Sequence, residues 1–217
     1  MCIRDRYNTE YLIPDNSSLG EDNGLPVSSD IKIVEIMYSP GYGSSVEYIK
    51  IINNGLESAL LYDSEYPDDS LNVNGFGMTL PGIRPSLEAG EFAYITNTSE
   101  EEFRSAYDIE NDVKVFGDPE AGSLDGGGER IELRLPLTIE GFQRDAPGYP
   151  RYYAILDSLD YDDESPWPVE ADGQGYSLIR KELNGSGYKA SDWKLSASRG
   201  GTAFGGPVVF ILSLKHI

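Results

Sequence analysis

Histidine and cysteine, which most often carry nucleophilic catalysis or bind zinc, each occur only once in this sequence of 217 residues. Cys2 and His216 lie near opposite ends of the chain. A serine or cysteine nucleophile commonly needs a histidine base, and zinc sites are built mainly from His and Cys ligands. The composition therefore nearly excludes a histidine-dependent hydrolase and a zinc site. A single cysteine also excludes a disulfide within the chain.

Two glutamates in predicted strands are candidates for the carboxylate pair of a glycosidase. Glu35 and Glu47 lie on neighbouring predicted strands and could face each other. Such a pair needs carboxyl groups about 5–9 Å apart beside a cleft that holds sugar. Glutamates in strands more often lie on the surface or bond to the backbone. We therefore expect no enzymatic activity, and an acidic-cleft hydrolase is the weakest of three functional hypotheses.

A dense group of carboxylates makes calcium the best ligand to consider. Its members are Asp160, Asp162, Asp163 and Glu164, and Asp172 follows shortly after them. Calcium prefers six to eight oxygen ligands, and the carboxylates of an acidic loop can supply them. The EF-hand pattern is absent because Ser165 stands where a glycine is required. A solvated acidic loop is the more ordinary interpretation, so no metal ligand and no cofactor is assigned.

Two other short patterns favour structural interpretations. The glycines at 126–128 lack the Gly-Lys-Ser/Thr ending of a phosphate-binding loop, so we predict a turn before a strand. Asn16, Asn97 and Asn184 lie in glycosylation-type triplets, which matter only in a eukaryotic secretory pathway. Trp167, between two prolines, and Trp193 are predicted to be buried plugs of the fold, and an exposed aromatic platform for sugars or peptides is the alternative.

The charge of the chain limits its partners. Seventeen basic residues face 37 acidic residues, which gives a formal net charge of −20. An acidic surface repels phosphate backbones, so we expect no nucleic-acid binding. The sequence has no run of 18 apolar residues, so it predicts no membrane span. Protein or glycan surfaces remain as possible partners, and nothing in the sequence indicates an oligomeric state.

Alternating and β-rich runs predict the elements that would position these residues. Strands are expected at 31–38, 46–52, 92–96, 129–135, 154–161 and 176–181, with weaker ones at 60–62 and 77–80. In the run 129–135, Ile131, Leu133 and Leu135 share one face of the strand. Ser99 and Glu102 form the pattern of a capping box, which predicts a short helix with Phe103 and Tyr107 on one face.

Several of these stretches resemble the lamin tail domain family. The resemblance rests on residues 33–40 and 47–51, on 127–133, on 157–161, 166–168 and 171–178, and on Trp193 with Gly200-Gly201-Thr202. It covers roughly residues 31–205. The Gly-Trp that usually follows the second strand is absent, because Leu61-Tyr62-Asp63 stands there. The segment 63–76 is longer and more polar than the family pattern, and 136–153 looks like an insertion.

The resemblance implies an all-β fold, an immunoglobulin-like β-sandwich with one short helix and long loops. It also implies a non-catalytic structural, adhesion or protein-binding module of a larger exported bacterial protein, located outside the cell or on its surface. The alternative is an accessory domain attached to a hydrolase or nuclease whose catalytic domain is missing from this fragment. The full reading frame would discriminate the two.

The two ends of the chain are expected to lie outside this domain. Residues 1–30 are polar and turn-rich and are predicted to be a linker or disordered. Residues 1–6 and the tail 206–217 contain stretches that resemble translated sequencing-adapter sequence, so we interpret both as artefacts. On that interpretation the natural protein continues beyond both ends, and a signal peptide lies upstream.

Overall fold

The computed structural model describes residues 2–4, 10–12, 29–41, 45–137 and 152–202. Within them the chain is mostly β-structure. Its strands are β1 (Cys2–Arg4), β2 (Glu10–Leu12), β3 (Ile31–Met37), β4 (Tyr48–Asn53), β5 (Ala59–Leu60), β6 (Asn72–Val73), β7 (Met78–Thr79), β8 (Ser86–Leu87), β9 (Phe92–Thr96), β10 (Lys114–Gly117), β11 (Gly128–Leu137), β12 (Tyr152–Asp162), β13 (Leu178–Arg180) and β14 (Trp193–Leu195). One α-helix, α1 (Glu100–Tyr107), and two 3-10 helices, Val169–Ala171 and Ala190–Asp192, complete the described elements.

The strands form two six-stranded sheets and a small two-stranded one. Sheet A has the order β1-β2-β12-β11-β6-β7, sheet B the order β10-β9-β4-β3-β13-β14, and β5 pairs with β8. Neighbouring strands are antiparallel except for β10 with β9 and β12 with β2. Apolar side chains of both sheets meet in one core, which explains why the alternating runs of the sequence form a sandwich. The predicted all-β class is confirmed, and the immunoglobulin-like topology stays a prediction.

The core includes the residues that the alternation of β11 predicted. Ile131 and Leu133 are fully buried, and Leu135 packs against the same cluster. Trp167 and Trp193 are also buried in it, and the Trp193 indole donates to the Gly187 carbonyl at 2.8 Å. The prediction that both tryptophans act as plugs is therefore confirmed.

Helix α1 begins where the capping pattern placed it. Ser99 is the N-cap, and its hydroxyl accepts the Glu102 amide at 3.2 Å. The second half of the capping box is wrong, because the Glu102 carboxylate accepts the Thr98 hydroxyl instead. Phe103 and Tyr107 are buried on the face that packs on sheet B. None of the described helices is long and apolar enough to cross a membrane.

Several predicted strands have different bounds in the structure. β11 ends at Leu137, beyond the predicted strand 129–135. β12 begins at Tyr152, before the predicted strand 154–161. β10, the parallel neighbour of β9, has no counterpart among the predictions. β1 and β2 fall in the stretch 1–30, and β2 pairs with β12. The rest of that stretch, apart from 29 and 30, lies outside the described residues, as do 138–151 and 203–217.

Candidate functional site

The most unusual polar group of the fold is the carboxylate of Glu35, which lies in β3 at zero exposure. One of its oxygens accepts the Tyr48 hydroxyl at 2.8 Å, the Ser177 hydroxyl at 2.6 Å and the Thr202 amide at 2.8 Å. The other accepts the Thr202 hydroxyl. A buried carboxylate is tolerated only with such compensation, because desolvation of its charge is expensive. Glu35 therefore ties three distant parts of the chain together.

The last of these parts, residues 200–202, crosses the face of sheet B opposite the core. Gly201 has φ +68°, and a Cβ on it would lie 2.1 Å from the Tyr48 hydroxyl and 2.3 Å from the Glu35 carboxylate. Gly200 donates its amide to the Gly175 carbonyl at 2.7 Å. Only glycine fits at 201, and this close approach sets Thr202 directly on Glu35.

Lys50 occupies the same face beside Glu35. The two residues are register partners in β3 and β4, and Tyr94 of β9 is the partner of Lys50 on its other side. The Lys50 ammonium donates to the Thr202 hydroxyl at 3.2 Å and lies 4.3 Å and 4.9 Å from the ring centroids of Phe92 and Tyr94. Burial lowers the pKa of Lys50 to about 8, although the nearby Glu35 charge opposes that shift.

Aromatic rings close this polar group off from water. Tyr48 packs edge-on against Tyr94, Phe103 and Tyr107 at centroid distances of 5.4, 5.7 and 5.2 Å. Burial is the main cause that raises the pKa values of Tyr48, Tyr94 and Tyr107 above their ordinary value, and the charge of Glu35 raises them further. The tyrosine hydroxyls therefore remain protonated. We call Glu35, Tyr48, Lys50, Tyr94, Ser177 and Thr202 the Glu35 cluster.

Glu47 belongs to a different network. Its carboxylate accepts the Leu124 amide at 2.7 Å and the Asn97 side-chain amide at 3.3 Å. Burial raises its pKa to about 7, the Leu124 hydrogen bond opposes the shift, and the charge of Glu129 adds to it. Glu47 and Tyr48 are consecutive, so their side chains point to opposite faces of sheet B. The structure thus does not join Glu35 and Glu47 into a glycosidase pair.

The loops around Glu47 form one end of the sandwich, which we call the loop end: the end where β3 and β12 finish and β4 and β11 begin. Here Tyr38 stacks on Tyr161 with a centroid distance of 4.6 Å. The Tyr38 hydroxyl is buried without a hydrogen-bond partner. Burial raises the Tyr38 pKa above its ordinary value, and the charges of Asp172, Asp163 and Asp162 raise it further. These carboxylates therefore lie near that hydroxyl.

The loop end contains the sequence-predicted calcium candidates, but their carboxylates have separate partners. Asp162 accepts the amide of Glu164 at 2.8 Å, and Asp172 accepts the Ser39 hydroxyl at 2.9 Å. Asp160 is exposed. Across the described parts of the chain, no three Asp, Glu, His or Cys side chains are grouped so as to hold a metal ion. Calcium binding stays a prediction.

Protein-family models, curated proteins and solved structures gave no match to this chain.

The remaining sequence candidates have structural partners. Gly126 and Gly127 form the turn before β11. Gly127 donates to the Asp125 carboxylate at 2.8 Å, and Gly128, the first residue of β11, donates to the Asp125 carbonyl at 3.2 Å. The Asn97 side chain accepts the Glu47 amide at 3.0 Å. Asn184 accepts the Asn54 side chain at 3.5 Å. Asn16, Cys2's side chain and His216 lie outside the described structure.

The sequence interpretation missed Lys50, Ser177 and the side-chain chemistry of Thr202. A signal was present, because Glu35 and Lys50 are the charged residues inside the apolar runs Ile33–Met37 and Tyr48–Ile52. A charge inside a strand that is otherwise apolar implies a buried partner. Thr202 belongs to the family resemblance, but no histidine near it in the sequence marks it as a nucleophile.

Proposed function

We propose that this chain is a non-catalytic adhesion or scaffold module of the lamin tail type, carried by a larger exported bacterial protein. One observation supports it above all others: Glu35 and Glu47, the carboxylates that a glycosidase would need, are buried and bonded to the fold. Glu35 and Glu47 each hold a distant segment in place. Asp162, Glu164 and Asp172 are exposed to a partner.

The family resemblance supports the proposal because its most specific residues have structural roles. Trp167 and Trp193 are buried in the core. Gly201 and Thr202 close over Glu35, which explains why glycines must precede this threonine. Gly173 and Gly175, the glycines before β13, have φ values of +65° and +81°, which favour glycine.

The charge of the loop end favours a cationic partner. Carboxylates on an interface direct encounter with surfaces rich in Lys and Arg and repel acidic ones. Loops at the end of a β-sandwich project from a rigid scaffold, which is the usual place for binding residues. We therefore place the adhesive surface at Asp162, Asp163 and Glu164 and expect a basic protein surface as its partner.

Binding and hydrolysis can be tested on the same full-length chain. We expect saturable binding to an array of Lys/Arg-containing peptides, measured by biolayer interferometry at 0.15 M salt (about physiological ionic strength). The variant Asp162→Asn/Asp163→Asn/Glu164→Gln should bind at least about tenfold more weakly. Incubation with purified polysaccharides should release no soluble sugar by mass spectrometry.

The matched control removes three charges at the opposite end of the sandwich, with Glu57→Gln, Glu88→Gln and Glu182→Gln, all exposed. It should bind as the unmodified chain does. An equal loss in both variants would show that only net charge matters, and the proposed surface would be wrong. Absence of saturable binding, or sugar release by the unmodified chain, would contradict the proposed function itself.

Calcium gives a further prediction at the loop end. A ligand that binds the folded state alone stabilises it by about 2.7 kcal/mol at a hundred times its Kd. If Asp162, Asp163 and Asp172 take calcium, millimolar calcium should raise the melting temperature by several degrees, and Asp163→Asn should abolish the rise. Magnesium at the same concentration is the control for ionic strength. An unchanged melting temperature would contradict calcium binding.

A further inference from the structure

The carboxylate of Glu35 holds both hydrogen-bonding groups of a single residue. One oxygen accepts the backbone amide of Thr202 at 2.8 Å, and the other accepts the Thr202 hydroxyl. In the N→O shift of an acyl group, a proton leaves the hydroxyl of a residue and a proton must arrive at its own backbone nitrogen. Glu35 contacts both of these atoms and is therefore placed to move that proton.

The hydroxyl oxygen of Thr202 also has a cationic partner. The Lys50 ammonium donates to it at 3.2 Å. An ammonium beside a hydroxyl favours the negative charge that forms on the oxygen when a base removes the hydroxyl proton. Lys50 is only 2 % exposed and Glu35 is fully buried, so little water screens either charge.

The carbonyl group that precedes Thr202 is also held in place. The Gly201 carbonyl accepts the Ser198 hydroxyl, with 3.4 Å between the oxygens. The Gly201 Cα is enclosed so tightly by Tyr48, Glu35 and Ser177 that no side chain fits there. The Ser198 hydroxyl is thus the donor that must move closer to stabilise the negative charge that develops when the carbonyl carbon is attacked.

We propose that the peptide bond between Gly201 and Thr202 is a self-cleavage site, with Thr202 as nucleophile and Glu35 as base. Glu35 takes the proton of the Thr202 hydroxyl, and that oxygen forms a bond to the carbonyl carbon of Gly201 through a five-membered ring. Glu35 then gives the proton to the Thr202 nitrogen as the carbon–nitrogen bond breaks. The product is an ester between Gly201 and the Thr202 side chain, with a free α-amine.

Water completes the reaction. It adds to the ester carbonyl, the bond to the Thr202 oxygen breaks, and the hydroxyl regains a proton. One peptide bond and one water molecule become a carboxylate at Gly201 and an ammonium at Thr202, so no oxidant or further reactant is needed. The reaction acts once, on the chain's own backbone, and does not depend on whether the loop end binds a partner.

The positions of Lys50 and Ser198 distinguish this arrangement from a purely structural clamp. A clamp needs only an acceptor for the Thr202 amide, which Glu35 supplies. It does not require a buried ammonium on the threonine hydroxyl, and burying that charge is unfavourable. It also does not require a donor on the Gly201 carbonyl. In the proposed self-cleavage each of these groups has a role on the atom that it contacts.

The test follows the intact mass of the purified full-length chain at pH 7, where Lys50 carries its charge, with and without hydroxylamine, which cleaves esters much faster than amides. We expect a single break between Gly201 and Thr202 that is faster with hydroxylamine, leaves Gly201 as its hydroxamate and is independent of protein concentration. Thr202→Ala should abolish it and Thr202→Ser should retain it. Glu35→Gln should slow it at least about a hundredfold, as expected for loss of a general base.

The control Thr79→Ala removes an exposed threonine hydroxyl on β7 and should leave the break unchanged. Urea unfolding of each variant identifies those that fold, and if Thr202→Ala does not, the comparison of Thr202→Ser with Glu35→Gln decides. A chain that stays intact in hydroxylamine would overturn the proposal. So would cleavage at this bond in folded Thr202→Ala, or at the unmodified rate in folded Glu35→Gln.

Discussion

Replacing Asp157 by alanine is expected to lower the free energy of unfolding by about 3–5 kcal/mol, because it leaves a buried arginine without its counter-charge. The Asp157 carboxylate lies 2.5 Å from the Arg180 guanidinium, with side-chain exposures of 4 % and 1 %. It also accepts the Ile33 amide at 2.8 Å. Alanine removes the carboxylate but not the desolvated positive charge.

The position of this ion pair explains the size of the effect. Asp157 belongs to β12 of sheet A, whereas Ile33 and Arg180 belong to β3 and β13 of sheet B. Arg180 also donates to the Ile33 carbonyl at 3.1 Å and to the Gly185 carbonyl at 2.6 Å. The pair is thus a polar connection between the two layers of the sandwich, surrounded by apolar core.

Urea unfolding monitored by tryptophan fluorescence provides the measurement. The control is Glu100→Gln, which breaks the exposed i,i+4 pair with Arg104 on α1 and should cost no more than about 0.5 kcal/mol. The double variant Asp157→Leu/Arg180→Met should recover most of the loss, because it removes both buried charges together. A loss for Asp157→Ala no larger than that of the control would show that the pair is not a buried one in solution.

Much of the fold could be predicted because strand pattern is local. β3, β9 and the start of α1 were expected within one residue of their observed bounds, since β-branched runs and a serine N-cap act over a few residues. β10 could not be predicted in this way. It has four half-buried residues and pairs in parallel with β9, so its placement depends on α1 and the connection that follows it.

The Glu35 cluster could not be predicted because its contacts are distant in sequence. Glu35 and Thr202 are separated by 167 positions, and Glu35 and Ser177 by 142. Nothing local in the sequence indicates which of many hydroxyls meets a buried carboxylate. The same holds for Asp157 and Ile33, which are 124 positions apart. The apolar neighbours of Glu35 in its strand are a sign of a buried partner, and only the packed sheet shows which residue it is.

Because of Glu47, the free energy of unfolding of the unmodified chain is expected to fall by about 3 kcal/mol between pH 4.5 and pH 7.5. Glu47→Gln is expected to abolish this contribution. Burial raises the pKa of Glu47 from an ordinary 4.5 to about 7. Between those values the folded chain keeps the proton and the unfolded chain releases it. The stability that Glu47 contributes is therefore fully present below pH 4.5 and is lost as the pH rises through 7.

Burial also raises the pKa values of Glu129 and Asp157, so the unmodified chain and the variant share a further loss of stability with the same sign. The informative quantity is therefore the difference between the two unfolding free energies, measured in urea at each pH. That difference should grow in favour of Glu47→Gln as the pH rises from 4.5 to 7.5.

The exposed substitution Glu101→Gln on α1 serves as the control and should give a profile of unfolding free energy against pH that is parallel to that of the unmodified chain. Parallel profiles for Glu47→Gln as well would mean that Glu47 is charged in the folded state throughout this range, and that solvent reaches its contact with Leu124.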